Sequence, residues 1–335
     1  MNRTSLYFTG PQTVDRRREP VEPSADEVVV ETRVSAISSG TELLIYRGEA
    51  PTDVPADETL DALDSDLSYP VKYGYAAVGD VIAAGDAVGD EWLDRTVFAF
   101  NPHESRFATA TDALVPVPNE VSAEAMAMAP SVETATSLVL DGRPRIGERV
   151  VIFGAGVIGL CTVGVLSSFP LDRLVAVDPV GARRERAVDL GADRAVGPDE
   201  VDDLVADWPD PGGADLVYEL SGRPSTLDAA IGTAGYDGRV VVGSWYGEKE
   251  ATVGLGTHFH RGRIAVESSQ VSTLAPETRG RWTKDRRMDT ALSRLADLDL
   301  DSLVTHRVPF DEAESAYRLL HERTGDPLQV LLTYD

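Results

Sequence analysis

Four consecutive apolar residues, Val150-Val151-Ile152-Phe153, run directly into Gly154-Ala155-Gly156-Val157-Ile158-Gly159, and an apolar stretch continues through Leu166. An unbroken apolar run reads as a strand buried on both faces, the habit of parallel sheets covered by helices. The three glycines then have separate uses. The first permits a tight turn, the second lets backbone approach a pyrophosphate, and the third lets the new helix pack on the strand. The anion rests on the N–H groups that open the helix. A second strand, Leu174-Val175-Ala176-Val177, ends at Asp178, about twenty residues on, where an acid accepts hydrogen bonds from ribose hydroxyls.

The alternation continues with a helix over 182–190, a strand over 215–218, a helix over 225–234 and a strand over 240–242. Strand and helix at this spacing predict an α/β chain with a doubly wound parallel sheet of the Rossmann type. Gly154, Gly156, Val157, Ile158, Gly159 and Asp178 are the expected dinucleotide contacts. Asp178 would repel a 2′-phosphate, which favours NAD; Arg183 and Arg184 at the start of the next helix keep NADP open.

The first third has a different texture. Short apolar runs at 28–37, 78–82, 96–100 and 114–117 are separated by Gly, Pro, Asn and Asp, a β-rich pattern. Residues 51–70 are acidic and punctuated by proline, and we read them as a solvated surface insertion with Leu60, Leu63 and Leu67 hinting at one short helix. After Ser268 the sequence predicts a helix over 287–296, another opened by Asp311 and Glu312, and a closing strand over 330–332. A chain of 335 residues suits two domains. We expect 131–268 to form the dinucleotide domain, and 1–130 with 269–335 the β-rich one.

Charge narrows the partners. The chain carries 56 acidic against 31 basic residues, net −25, and its only lysines are Lys72, Lys249 and Lys284. This composition suits a surface hydrated in high salt, the alternative being an acidic enzyme from an ordinary milieu. Either surface repels phosphate backbones and anionic membranes, so a small molecule is the expected partner, with no nucleic acid and no membrane. Cys161 is the one cysteine, which excludes an intrachain disulfide and fits a reducing cytoplasm. His258, His260 and Arg261 to Arg263 form a small basic cluster that either holds an anion or offsets nearby acids.

Several motifs carry a resemblance over nearly the whole chain. They are Ser39-Gly40-Thr41-Glu42 with Tyr46-Arg47-Gly48, Gly74-Tyr75-Ala76-Ala77-Val78-Gly79, Thr134-Ala135 before the glycine loop, Asp189-Leu190-Gly191-Ala192, and Thr305-His306-Arg307. Together they resemble the medium-chain dehydrogenase/reductase superfamily, the alcohol dehydrogenase relatives. The resemblance implies a GroES-like catalytic domain beside the Rossmann domain, an oxidoreductase using NAD or NADP, Thr134 and Ser221 beside the cofactor, and a homodimer joined through Rossmann edge strands. Zinc members have Cys-Gly-Thr-Asp and Gly-His-Glu where this chain has Ser39, Tyr75 and Ala76. The further ligand position falls near Pro130, and the four-cysteine structural lobe is absent. We therefore expect no zinc of either kind, a site assembled from His103 and Glu133 being the alternative.

Residues 70–79, Pro102-His103-Glu104-Ser105-Arg106-Phe107, Glu133-Thr134-Ala135, Ser244-Trp245-Tyr246-Gly247 and Ser268-Ser269-Gln270-Val271 look like the bacteriochlorophyllide a dehydrogenase branch. That likeness implies secondary alcohol chemistry on a substituent of a flat ring and leaves the ring itself open. Without zinc, a side chain must handle the alcohol proton, and the candidates are Thr41, Tyr75, His103 and Tyr46. Ser39, Trp245 and Tyr246 are expected to line the substrate. An NAD(P)H quinone or enoyl reductase, and an NAD-binding protein without catalysis, are the alternatives.

Overall fold

The structure is a computed structural model that describes residues 1–56, 61–63, 65–209 and 212–335. A hairpin of β1 (Asn2–Gly10) and β2 (Thr13–Pro20) precedes β3 (Glu27–Ile37), helix α1 (Glu42–Arg47), β4 (Ala77–Ala84), β5 (Thr96–Ala99), β6 (Arg106–Ala110) and β7 (Leu114–Pro116). Helices α2 (Ala123–Met126) and α3 (Ala129–Gly142) lead into β8 (Arg149–Phe153), α4 (Val157–Leu166), β9 (Arg173–Val177), α5 (Gly181–Asp189) and β10 (Arg194–Val196). Then follow α6 (Val201–Ala206), β11 (Ala214–Glu219), α7 (Thr226–Thr233), β12 (Ala234–Val242) and β13 (Ala265–Ser268). Helix α8 (Lys284–Leu295), β14 (Val304–Pro309), α9 (Ala313–Glu322) and β15 (Gln329–Thr333) close the chain.

Two compact units result, one of Met1–Pro130 with Asp299–Asp335, the other of Ser131–Leu298. The second boundary corrects the expected return at residue 269. Helix α8 belongs with the dinucleotide unit because Arg287, only 2% exposed, pairs with Glu133 of α3 at 2.8 Å. Ala291 and Leu295 of the same helix are buried, and Leu298 packs so closely on Gly164 that a Cβ there would lie 2.6 Å from it.

In the Ser131–Leu298 unit a six-stranded sheet runs in the order β10-β9-β8-β11-β12-β13, and every pairing is parallel. The chain winds outward from β8 to β10, returns to β11 beside β8, and winds outward again. This order is the doubly wound arrangement, and its crevice opens where the direction reverses, outside the C-terminal ends of β8 and β11. Val151, Val175, Val217 and Val240 form the core of one face with Ala230 and Ile231 of α7.

In the other unit a seven-stranded sheet runs β14-β15-β3-β4-β5-β7, with β6 also on β3. It is antiparallel except for β14 beside β15. One core gathers Val28, Val30, Val81, Val97 and Phe107. A second gathers Leu6, Phe8, Ile37, Tyr46, Tyr317 and Leu332, together with Leu63 and Leu67. Those two leucines correct the reading of residues 51–70 as a solvated insertion: each is 2% exposed, and burial of such a side chain is worth roughly 1.5–3 kcal/mol. Leu60 lies outside the described residues. No helix among the described residues is long and apolar enough to cross a membrane.

Candidate active site

The glycine loop leaves β8 at the reversal of strand order. Gly154 sits at φ +100°, and a Cβ there would come within 2.7 Å of the Leu220 carbonyl, so both backbone hand and space demand glycine. A Cβ on Gly159 would lie 1.8 Å from the Gly154 carbonyl oxygen, which is how α4 lies against the strand it follows. Gly156 differs: a Cβ there would meet nothing within 4 Å. That open space leaves room for the close backbone approach a pyrophosphate needs. Gly156 is the N-cap of α4 and supplies no capping side chain, so the first N–H groups at Val157, Ile158 and Gly159 remain for an anion. The residues present fit a dinucleotide.

Asp178 follows β9 and is 5% exposed. Its carboxylate accepts from the Ala155 N–H and the Val180 N–H, each at 2.9 Å. It therefore braces the glycine loop while each oxygen keeps a lone pair for a ribose hydroxyl. Arg184 donates to the carbonyls of Asp178 and Pro179, at 2.8 and 3.1 Å, and Arg183 is half-buried on α5. Thr134 is half-buried on α3.

A carboxylate that sequence reasoning missed stands at the end of β11. Glu219 is fully buried. It accepts from the Ser221 N–H at 2.9 Å and from the Ser221 hydroxyl, and its other oxygen takes the Tyr246 hydroxyl at 2.6 Å. Burial, then the Glu219 carboxylate, push the Tyr246 phenol up, so that hydroxyl keeps its proton and serves to hold the loop after β12. Trp245 beside it is 41% exposed. Ser221, Trp245 and Tyr246 thus gather at the same sheet edge as the glycine loop. The available signal for Glu219 was an acid at the end of an apolar strand, Leu216-Val217-Tyr218.

In the other unit the turn after β3 carries the proton candidates. Glu42, fully buried, accepts from the Ser38 N–H at 2.7 Å while its own N–H donates to the Ser38 carbonyl at 2.9 Å, which closes the turn into α1. Its second oxygen takes the Tyr317 hydroxyl at 2.5 Å and lies 3.0 Å from His103 Nε2. His103 Nδ1 lies 2.7 Å from the Ser35 hydroxyl, which in turn is 2.9 Å from the Tyr334 hydroxyl. Gly74, at φ +115°, lays its backbone on this imidazole, for a Cβ there would come within 2.7 Å of the ring. The next residue, Tyr75, is half-exposed and donates its hydroxyl to Ser38 Oγ. Tyr75 is therefore held twice by one buried network, through Gly74 on His103 and through Ser38 on Glu42.

Thr41 is the half-exposed N-cap of α1 with no side-chain capping bond, and Ser39 stands half-exposed two residues before it. The other two candidates lie in the core. Tyr46 is 3% exposed, stacks on Tyr317 with ring centroids 5.5 Å apart, and has its phenol pushed up by burial. His103 is fully buried with both ring nitrogens engaged. His103 therefore presents no ring nitrogen to a substrate.

The residues present do not fit zinc. Ser39, Tyr75 and Ala76 offer no thiolate, imidazole or carboxylate, and Glu42 and His103 bond each other inside the core. The proposed His103 with Glu133 pairing also fails, because Glu133 binds Arg287 through Nε and Nη2 at 3.1 and 2.8 Å. Cys161 is buried in α4 with its thiol pushed up to about 12. Among the described residues no three His, Cys, Asp or Glu side chains gather as a metal set.

Residues 157–285 match the family model described as zinc-binding dehydrogenase. The chain is similar to a (R,R)-butanediol dehydrogenase of Bacillus subtilis, 26% identical over 64% of this chain and 69% of that protein. It is 25% identical to 2-desacetyl-2-hydroxyethyl bacteriochlorophyllide A dehydrogenase of Cereibacter sphaeroides over 95% of this chain and 94% of that one. The chain is thus similar, over nearly its whole length, to members of the medium-chain dehydrogenase/reductase superfamily. It is an oxidoreductase of the zinc alcohol dehydrogenase-like kind, built on a Rossmann sheet and a GroES-like domain. Among solved structures, one described as a short chain alcohol dehydrogenase from E. coli CFT073, complexed with NADH, shares the fold, superposing with TM-score 0.79 at 19% identity and covering 99% of both chains.

Proposed function

We propose that this medium-chain oxidoreductase is an NAD(H)-linked alcohol dehydrogenase or ketone reductase that works without zinc on a hydroxyalkyl or acyl group of a sizeable, cyclic substrate. The observation that carries this reading is Tyr75, half-exposed and fastened to Ser38 above a buried Glu42 and His103 pair, at a position where zinc members have a ligand. A nicotinamide held by this chain would supply the hydride acceptor for the carbinol carbon. The chain's own residues do the rest. Gly154 to Gly159 hold the pyrophosphate, Asp178 takes the ribose hydroxyls, and Thr134 and Ser221 border the cofactor. Tyr75 relays the alcohol proton in oxidation, taking it as its own hydroxyl proton passes to Ser38 Oγ and on to solvent, and runs the relay backward in reduction, while Thr41 and Ser39 orient the oxygen. Glu42 and His103 position Tyr75 and do not touch the substrate. The exposed Trp245 ring supplies a face for a flat substrate. The bacteriochlorophyllide relative, which spans nearly the whole chain, supports the cyclic class. A homodimer would join through β13, an edge strand whose Val266 is exposed.

Two measurements test this reading in its parts. NADH should bind at least about tenfold more tightly than NADPH, since one charge repulsion beside Asp178 is worth on the order of 1–2 kcal/mol. Asp178→Ala should narrow that gap; equal affinities in the native chain would reassign the cofactor. Metal analysis of active protein should find no stoichiometric zinc, and a chelator should leave turnover unchanged. One tightly held zinc per chain would overturn the proton assignment, and rapid turnover of quinones with NADPH would replace the alcohol by a conjugated carbonyl.

A further inference from the structure

The loop after β13 reverses the charge of everything around it. Between Arg279 and Arg287, nine positions hold five of the chain's 31 basic residues and a single acid, Asp285, in a protein of net charge −25. Arg287 is accounted for by Glu133. The other four, Arg279, Arg281, Lys284 and Arg286, are exposed, and among the described residues none of them makes an ion pair. The cluster at 258–263 is different: Arg263 pairs with Asp237 at 3.3 Å and His258 bonds the Ala234 carbonyl at 2.7 Å.

Backbone carbonyls of the turn hold part of this segment in place. The Arg281 and Trp282 N–H groups both donate to the Thr278 carbonyl, at 2.9 and 3.0 Å. Arg279 Nε donates to the Leu274 carbonyl at 2.8 Å, and Arg286 Nη1 to the Arg281 carbonyl at 2.5 Å. The Arg286 guanidinium also lies 4.3 Å from the Trp282 ring centroid. Both arginines are thus pinned at one end and keep further N–H groups to offer outward. Lys284 and Arg286 fall in the first turn of α8, the end of a helix that disfavours cations. Mutual repulsion and helix dipole both act against this arrangement, offset in part for Lys284 by the field of Glu133 and for Arg286 by the Trp282 ring.

We propose that the turn 278–286 is an anion subsite that takes a phosphate group, or another compact dianion, of a small substrate; the proposal rests on the oxidoreductase reading. The turn follows, after residues 269–277, from the C-terminal end of β13, which lies at the same edge of the parallel sheet as the end of β8 from which the glycine loop leaves. Arginine forks suit phosphate oxygens in pairs. A compact dianion meets four cations and the single acid Asp285, whereas an extended polyanion would also lie along the acidic remainder of the surface and be repelled.

The test is a titration of inorganic phosphate into protein saturated with NADH, so that the glycine loop is already filled, at the lowest salt that keeps the chain folded. Calorimetry and Trp282 fluorescence, with Trp282→Phe as the control, should report one saturable site per chain. The Arg279→Gln, Arg281→Gln double variant changes only exposed side chains and should bind phosphate about tenfold or more weakly, as expected for two charge-assisted hydrogen bonds, with NADH affinity unchanged. Absence of saturable binding in the native chain, equal binding in the double variant, or binding of a polyanion such as heparin without binding of phosphate would each overturn the proposal. If NADH fails to bind, the cofactor reading falls, and the same comparison on the protein alone still decides the subsite.

Discussion

Tyr75→Phe is expected to lower turnover of a secondary alcohol or its ketone by about 10²–10⁴-fold, the usual contribution of a positioned acid or base. The substitution removes one oxygen and little else. The ring keeps its edge-on contact with Tyr73, centroids 6.1 Å apart, and Gly74 keeps its place on the His103 ring. NADH affinity, set in the other unit by the glycine loop and Asp178, should therefore stay the same. Equilibrium NADH fluorescence and single-turnover reduction of a ketone separate the two quantities. A Tyr75→Phe enzyme of undiminished turnover would pass the proton to Thr41, and Thr41→Val would then show the loss.

His103→Ala should cost the β-rich unit about 1–3 kcal/mol for a buried acceptor left without its partner, and more for the cavity. Glu42 would be left fully buried with its Oε2 bonded to Tyr317 alone. The imidazole also carries the Gly74 backbone, so the cavity left behind loosens the turn that holds Tyr75. Denaturant unfolding at constant salt should show a lower midpoint, and turnover of the folded fraction should fall with it. His103→Gln, which can still donate to Glu42, should recover part of the stability and less of the activity. An alanine variant as stable as the native chain would mean that water replaces the imidazole, and the positioning role would then fail.

The dinucleotide half was legible because parallel strands buried on both faces cannot avoid long apolar runs, and because the turn into α4 leaves only glycine at Gly154 and Gly159. The β-rich half hid more. Strand β2 reads Asp15-Arg16-Arg17-Arg18-Glu19 without an apolar face; it forms because β1 beside it buries Leu6 and Phe8. Leu63 and Leu67 were masked by acidic neighbours. The placement of α8 depended on an ion pair linking residues 154 apart, a contact that no local pattern announces. Glu42 and Glu219 were the hardest to see. Among 56 acids a buried carboxylate looks like one more surface charge, and its partners Tyr317 and Tyr246 lie 275 and 27 positions away.

Burial of the one sulfhydryl in α4 has a practical side. A thiol sealed in a helix interior and held in its protonated form reacts slowly with maleimides and oxidants. The native chain therefore behaves as though it had no cysteine at all, and a cysteine introduced on the arginine-rich turn, at Gly280 for example, would carry a spectroscopic label at that one position without prior mutagenesis of the background.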